Sequence, residues 1–162
     1  MRLTDFTDYS LRVLIYVAVC GDELATIQEI SDALGIARGH LAKIVHTLGR
    51  NGYLRTTRGR MGGMRLGRAA NEITVGSVVR DTEADFHIVE CFNAADNRCA
   101  ITAACNLRGI LQRAAHAYME VLDQCTLADI VIERGTLARL IAGPPTAQPL
   151  VQYTREQVTP ES

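Results

Sequence analysis

The chain has 162 residues, of which 48% are hydrophobic and 22% charged, and its formal net charge is −1. This composition excludes a largely disordered chain, and the length suits one compact domain or a small head joined to a dimerisation element. No apolar run approaches the roughly 20 residues that cross a bilayer, and the N-terminus lacks the apolar core of a signal peptide, so we expect a cytoplasmic protein with no membrane partner.

The first two predicted elements are amphipathic helices. The first helix is indicated by apolar residues at helical spacing, namely Leu11, Leu14, Ile15 and Ala18. Thr4 precedes it at a capping position, and acidic residues follow in the first turn, where a helix N-terminus favours them. The second, shorter helix begins at a capping box formed by Thr26 and Glu29 and ends at Gly35.

The third predicted helix is apolar on one face and basic on the others. Its apolar stripe follows the spacing i, i+3, i+4 and i+7, with Leu41, Ile44, Val45 and Leu48. Two helices joined by a glycine-containing turn, the second with a basic outer face, are typical of a helix-turn-helix that lays a recognition helix in the major groove. Arg38, His40 and Lys43 lie at the start of this helix and are predicted to read base edges.

A β-hairpin with a basic tip follows the third helix. Residues 53–57 are rich in β-formers, residues 58–63 form a glycine-rich turn, and residues 64–66 return as a strand. We expect Arg58 and Arg60 at the tip to enter a neighbouring minor groove, where narrow tracts concentrate negative potential. The other basic residues of the hairpin are expected to contact phosphates, namely Arg55, Arg65 and Arg68.

The charged residues are segregated along the chain. Every charged residue from Arg38 to Arg68 is basic, whereas acidic residues outnumber basic ones from Glu72 to Glu90. A solvated basic face on a helical domain is the simpler reading. The agreement of helix pattern, hairpin, glycine turn and charge favours the alternative, a surface for a double-stranded DNA operator.

Beyond the hairpin, the sequence predicts a short helix over residues 73–82, a loop over 83–104 and a long helix from 105. The long helix carries an apolar seam whose spacing alternates by four and three, with Leu107, Leu111, Ala114, Tyr118, Val121 and Cys125. Such a seam pairs helices, so we predict a homodimer. A further capped start at Thr126 leads into a short helix, and the segment from 143 carries all four prolines, which indicates a disordered tail.

Three cysteines lie in one loop before the long helix, Cys91, Cys99 and Cys105, with the spacing C-x7-C-x5-C. In a reducing compartment such thiols could be structural, redox-reactive or metal-ligating. Zinc needs a fourth ligand, and no nearby His lies at a familiar spacing. Soft thiolates hold iron-sulfur clusters, and wide spacing suits a group larger than one ion. Cys20 and Cys125 each lie alone in a helical pattern and are predicted to be core residues.

These motifs together resemble the Rrf2 family of bacterial winged-helix repressors. The resemblance is carried by residues 3–12 (LTDFTDYSLR), by residues 58–66 (RGRMGGMRL), and by the three-cysteine loop followed by a long helix. It runs from residue 1 to about residue 142 and leaves only the tail unmatched. Within the family, the chain looks most like the branch that senses nitric oxide.

The resemblance implies a 4Fe-4S cluster ligated by Cys91, Cys99 and Cys105, with Asp8 as a fourth ligand that the partner subunit could supply. Without the resemblance, Asp8 is an ordinary acid at a helix start. A carboxylate is a hard ligand on a soft cluster and would leave its iron open to attack by a small molecule. The implied function is a repressor that binds a palindromic operator while its cluster is intact and releases it when nitric oxide destroys or nitrosylates that cluster.

The predicted fold class is therefore mainly α with a small β-hairpin, a winged helix-turn-helix head plus a long dimerisation helix. We expect the DNA-binding head over residues 1–82 and the cluster-binding loop over residues 83–104. The dimerisation helix and a short C-terminal helix are expected over residues 105–142, and the disordered tail over residues 143–162.

Three alternatives stay open. The first is a regulator of the same fold with a 2Fe-2S cluster that senses redox or iron-sulfur status. A relative of that kind uses a His three residues after its last cysteine, where this chain has Arg108. The second is a cluster-free thiol switch. The third is an enzyme or electron carrier, which is disfavoured because the chain lacks a nucleotide-binding glycine motif, a C-x2-C run and an acid/base pair.

Overall fold

The computed structural model describes residues 2–59 and 61–143. Its helices and strands are, in chain order, α1 (Asp5–Cys20), α2 (Ile27–Leu34), α3 (Arg38–Arg50), β1 (Leu54–Thr57), β2 (Gly63–Leu66), α4 (Val75–Thr82), α5 (Asn106–Gln124), α6 (Leu127–Ile130) and α7 (Arg134–Ala142). The two strands pair antiparallel, and single 3-10 turns occupy Ala70–Glu72, Glu90–Phe92 and Thr102–Ala104. The described part of the chain is thus mainly helical with a small hairpin, as predicted.

Two predictions from the sequence lie outside these residues. Arg60, at the hairpin tip, is one, and the tail predicted over residues 143–162 is the other, apart from Gly143. Within the described ranges, no helix combines the length and the apolar character that crossing a bilayer requires.

Side-chain caps begin the first two helices where the sequence predicts them. The Thr4 hydroxyl accepts a hydrogen bond from the backbone N–H of Thr7 at 3.3 Å and starts α1. At α2, the backbone N–H of Glu29 donates to Thr26 Oγ1 at 3.2 Å, and the Glu29 carboxylate accepts the Thr26 N–H at 2.8 Å. Gly35 ends α2 with φ +67°, a left-handed conformation that glycine adopts without strain.

Helix α1 runs through the centre of the core. Its fully buried residues include Val13, Leu14 and Val17, whereas three of the residues predicted to face the core, Leu11, Ile15 and Ala18, are only half-buried. Leu11, Ile15 and Ala18 still pack against the core, so the predicted stripe is part of a wider buried face. The reason is that α3, α4, β2, α6 and α7 all contact α1, so its buried face is wider than a surface helix would have.

The apolar stripe of α3 packs onto this centre as predicted, with Leu41, Ile44, Val45 and Leu48 all buried. Tyr53, which follows α3, is 1% exposed, and its hydroxyl donates to the Asp81 carboxylate of α4 at 2.7 Å. This bond joins the turn after the recognition helix to α4. Burial, together with the neighbouring carboxylate, raises the pKa of Tyr53, so the phenol stays protonated as a donor.

The C-terminal segment folds back into the head. Leu127 is 3% exposed within the head's core, and its N–H donates to the Ile73 carbonyl at 2.8 Å. Further along, Arg134 Nε donates to the Val19 carbonyl at the end of α1 at 2.7 Å. The sequence predicted one short helix here; the structure has two, α6 and α7, and both contact α1.

Helix α5 packs against α4, and the packing includes an ion pair and a close approach of the two helices. Arg80 of α4 donates to the Asp123 carboxylate of α5 through both terminal nitrogens, at 2.6 and 2.5 Å. Arg80 holds the pKa of Asp123 below its usual range, because its hydrogen bonds stabilise the charged form. Gly76 faces Asp123 so closely that a Cβ there would overlap the carboxylate. Glycine at this position therefore permits the two helices to meet.

We predict that Leu127→Ala lowers the free energy of unfolding by about 2–5 kcal/mol, because it empties a filled position in the shared core. The matched control is Leu140→Ala, since Leu140 is 58% exposed on the same segment, and its effect should stay within about 0.5 kcal/mol. Urea unfolding followed by circular dichroism measures both. Equal effects of the two substitutions would show that residues after α5 do not contribute to the head's core.

Candidate nucleic-acid interface and cysteine loop

The recognition helix presents a basic surface that the fold leaves exposed. With the apolar stripe of α3 buried, Arg38, His40 and Lys43 are all exposed. Ala37 occupies the N-cap position and offers no side-chain hydrogen bond, so the first amide groups of α3 are not capped. Uncapped amides at a helix N-terminus favour anions. The helical pattern of the sequence does not point to this feature, although Ala at a cap position leaves a helix start without a side-chain acceptor.

The hairpin sets two positive charges opposite one another. Arg55 of β1 and Arg65 of β2 are register partners, and both are exposed. Like charges placed directly across a strand pair destabilise it unless an anion lies nearby. At the tip, Arg58 is also exposed, and Gly59 adopts φ +114°.

The basic stretch from residue 38 to residue 68 has no acidic partner within the described structure. The ion pairs that the described residues form lie elsewhere: at the start of α1 and within it, between α4 and α5, in the loop after α4, and along α5. Positive charge on this surface is therefore not neutralised by the described part of the chain. A polyanion is the partner that would neutralise it.

Arg68 differs from the other basic residues of the hairpin region. Its guanidinium lies 4.5 Å from the ring centroid of Tyr53, and it donates to the carbonyls of Asn51 and Gly52. Asn51 caps the C-terminus of α3, where cations interact favourably with the helix dipole. Arg68 thus supports the end of the recognition helix, and its expected phosphate contact stays a prediction.

A shallow groove separates α3 from β1. His46 and Arg50 of α3 and Thr56 of β1 contribute polar side chains to it, beside the apolar residues Val45 and Leu54. The sequence assigned no role to Arg50 or Thr56, because only the hairpin pairing brings the strand alongside the helix.

The three loop cysteines lie between α4 and α5. Cys91 is in the 3-10 turn at Glu90–Phe92, Cys99 is exposed, and Cys105 directly precedes α5. All three are free thiols. Among the described residues, however, no three His, Cys, Asp or Glu side chains are grouped so that they could hold a metal ion. The structure therefore does not bring the predicted ligands into one site.

Between Asp85 and Ala104, the side-chain hydrogen bonds of the loop join loop residues to one another. Glu90 accepts from the backbone N–H of Arg98 at 2.5 Å, and Asn97 accepts from that of Cys99 at 3.1 Å. The Thr102 hydroxyl donates to the Cys99 carbonyl at 2.7 Å. A loop shaped by its own polar groups can wrap a bound group without breaking the core. The loop also contains His87, whose ring lies beside Asp85 and which does not stand at a familiar zinc-site spacing from the cysteines. Three soft thiol donors suit an iron-sulfur cluster.

Asp8 lies on α1, and its carboxylate pairs with Arg12 at 2.7 Å. Its side chain is 43% exposed, so it can face a second molecule. An exposed pair at i,i+4 contributes little stability, so little would be lost if the carboxylate turned to another partner.

The remaining two cysteines lie apart from the loop and are half-buried rather than fully buried. Cys20 packs against the core at the end of α1, and burial, together with Glu29 and Glu23, raises its pKa. A thiol held in its protonated form is a poor ligand and a poor nucleophile. Cys20 therefore fits its predicted packing role, although the burial of both cysteines is less complete than expected.

Comparison with known proteins bears on this arrangement. The model of the family Rrf2, described as iron-dependent transcriptional regulator, matches residues 3–133. The transcriptional regulator NsrR of Bacillus licheniformis is 46% identical over 143 residues, which cover 88% of this chain and 100% of that one. NsrR of Bacillus subtilis is also 46% identical, over 87% of this chain and 97% of that one.

Solved structures show the same fold. CymR, the global cysteine regulator of B. subtilis, has a TM-score of 0.67 and 26% identity over 82% of this chain and 98% of that one. IscR of T. potens has a TM-score of 0.66 and 20% identity over 82% of this chain and 88% of that one. Together with the hairpin and the helix order, these likenesses confirm the predicted winged-helix fold class.

We predict that Arg65→Ala weakens binding to every DNA sequence alike and lowers the slope of log affinity against log salt by about one, because it removes one phosphate contact. Fluorescence anisotropy with a duplex selected from a random pool and with an unrelated duplex measures both quantities. Arg113→Ala, on the exposed side of α5, is the charge-matched control and should change neither. A loss confined to the selected duplex would contradict a phosphate role.

We predict that Arg68→Ala lowers the free energy of unfolding by about 1 kcal/mol, since it removes the stacking on Tyr53 and the bonds at the end of α3. Arg65→Ala serves as the comparison and should not lower stability, because Arg65 has no such contacts and its removal relieves the repulsion with Arg55. Urea unfolding of both proteins measures the difference. If Arg68→Ala unfolds like the parent protein and only DNA affinity falls, Arg68 acts on phosphate and not on the fold.

Proposed function

Since the chain belongs to the Rrf2 family of iron-dependent transcriptional regulators, we propose that it is a homodimeric repressor whose DNA binding depends on an iron-sulfur cluster and responds to nitric oxide. Its relatives are named transcriptional regulators, so the chain is a regulator and not an enzyme. The observation that carries the proposal is the position of three free thiols in the segment that joins a basic DNA-binding head to α5.

The residues that would hold the cluster are Cys91, Cys99 and Cys105, with Asp8 of the second subunit as the fourth ligand. When bound, a cluster of this kind would supply the iron with which nitric oxide reacts. The names of the curated relatives support this reading, since NsrR regulators align with this chain across residues 83–105, which we call the cysteine segment. A 4Fe-4S cluster is proposed rather than 2Fe-2S, because the His expected in the second case is replaced by Arg108.

The segment is attached at both ends to elements that position the head. Glu83, directly after α4, accepts hydrogen bonds from the Thr4 backbone N–H at 2.8 Å and from its hydroxyl at 3.1 Å. The start of the segment is thus tied to the N-cap of α1. Its first residues also line a cavity together with Leu3 and with Tyr118 and Met119 of α5. A change of shape in the segment would therefore act on both α1 and α5.

Helix α5 offers a surface for the second subunit. Leu107, Ile110 and Val121 are 58%, 52% and 65% exposed, an apolar stripe that a monomer would leave in water. Leu111 and Tyr118 of the predicted seam are half-buried within the subunit, and Tyr118 lines the cavity beside residues 83–88. We therefore place the dimer contact on the exposed stripe.

Pairing through α5 would set the distance between two recognition helices. Two half-sites on one face of DNA lie about 34 Å apart, and both helices must match that spacing at once. The ion pair between Arg80 and Asp123 fixes α5 against α4 within each subunit. Occupation of the cysteine segment would hold this geometry, and its loss would relax it. We therefore expect the protein to bind DNA more tightly when the cysteine segment is occupied than when it is empty.

Anaerobic reconstitution tests the proposal. The protein should take up about four irons and four sulfides per monomer, and separate Cys91→Ser, Cys99→Ser and Cys105→Ser substitutions should each reduce that uptake sharply. Cys20→Ser and Cys125→Ser are the matched controls and should retain it. Asp8→Ala should change the visible spectrum of the reconstituted protein, whereas Asp5→Ala should not.

Titration with nitric oxide, followed by gel shift and visible spectrum together, then tests the response. The expected result is loss of DNA binding in step with loss of the cluster spectrum. About two irons per monomer would contradict the 4Fe-4S assignment. Unchanged DNA binding after complete cluster loss would contradict the sensing mechanism, and full binding by colourless, iron-free protein would favour a thiol switch.

A further inference from the structure

A chain of three exposed side chains leads from α2 to the first residue of α3. Arg38 Nη1 donates to Gln28 Oε1 at 3.0 Å. Gln28 Nε2 in turn donates to both carboxylate oxygens of Asp32, at 2.8 and 2.9 Å. We call this arrangement the Asp32–Gln28–Arg38 chain. Its members come from both helices of the helix-turn-helix.

Each member of this chain fixes the orientation of the next. An ionised carboxylate only accepts hydrogen bonds, so Asp32 selects the NH₂ side of the Gln28 amide. The amide oxygen of Gln28 must then face Arg38. The reversed amide would set NH₂ against the guanidinium, donor against donor, and would also lose the bonds to Asp32.

An ordinary pair of neighbouring side chains on one helix does not explain the arrangement. Gln28 and Asp32 are four residues apart on α2, and such surface pairs are common and weak. That explanation accounts for the bond within α2 but not for the bond to Arg38 on the next helix. It also leaves unexplained an acidic side chain beside a surface that otherwise attracts phosphate. Both facts follow if the acid serves to hold the amide.

Arg38 keeps donors free for DNA while it is held. A guanidinium has five N–H donors, and the bond to Gln28 uses one. The others suffice for a bidentate contact with O6 and N7 of guanine. A long side chain that is already held loses less entropy on binding, which corresponds to a factor of about 2 to 10 in affinity.

We propose that Gln28 and Asp32 are positioning residues for base reading, which hold the Arg38 guanidinium ready for a guanine. The proposal rests on the DNA-binding role of α3 proposed above. It deepens that role by assigning part of the sequence preference to α2, a helix with no predicted base contact.

The test measures base preference with the full-length protein on a duplex selected from a random pool and on its single-base variants. Arg38→Ala should remove preference for guanine at one position, a loss of about 5- to 150-fold. Gln28→Ala should reduce preference at the same position by about 2- to 10-fold, with the salt slope unchanged. Asp32→Ala should act in the same direction and more weakly. Gln28→Glu keeps an acceptor for Arg38 but loses the NH₂ donor to Asp32 and sets two carboxylates together, so it should not restore the preference.

A double-substitution cycle makes the test specific. Gln28→Ala should have no further effect on base preference in the Arg38→Ala background, because its action passes through Arg38. Gln112→Ala, an exposed glutamine of α5, is the matched control and should leave preference intact.

Equal weakening of all sequences by Gln28→Ala, or an undiminished effect in the Arg38→Ala background, would overturn the inference. Absence of any sequence preference in the parent protein would instead overturn the proposed DNA-reading role, and the two failures are distinguishable.

Discussion

The burial of α1 is the constraint on which the other elements depend. Val13, Leu14 and Val17 are fully excluded from water, and helices from both ends of the chain contact α1. The recognition helix α3 packs on one side of α1. The N-cap residue of α1, Thr4, is hydrogen-bonded to Glu83 at the start of the cysteine segment. At its other end, the Val19 carbonyl receives Arg134 of α7. A shift of α1 would therefore be transmitted to the DNA-binding surface.

The charged residues serve two different purposes: those between α4 and α5 pair with each other, whereas the basic residues of α3 and the hairpin are exposed to a partner. The Arg80–Asp123 pair is used to fasten α5 to α4. The exposed basic residues of α3 and the hairpin have no such partner in the described structure, and Arg55 faces Arg65 across the strands. This repulsion is tolerable if a polyanion relieves it. Arg68 is the exception, because its guanidinium supports the end of α3. A basic residue in a basic segment is therefore not by itself a DNA contact.

The cysteine segment has the features expected of the part of a regulator that changes conformation when a group binds. It consists of short turns held by their own side chains, and its thiols are free and partly exposed. Segments of this kind lie at the low end of local stability, so a bound group can reshape them at small cost. The attachments at Glu83 and at Cys105, which directly precedes α5, would carry such a change to the rigid helices on either side.

The sequence by itself determined the features that depend on near neighbours: the caps at Thr4 and Thr26, the apolar stripe of α3, the hairpin and the run of basic residues. These arise from periodicity and from hydrogen bonds between residues a few positions apart, which a linear reading contains. Only the tertiary structure decided that Leu127 enters the head's core, that Arg68 stacks on Tyr53, and that Gln28 holds Arg38. Each of these contacts joins separate elements, and no local pattern encodes which residues meet when the elements pack.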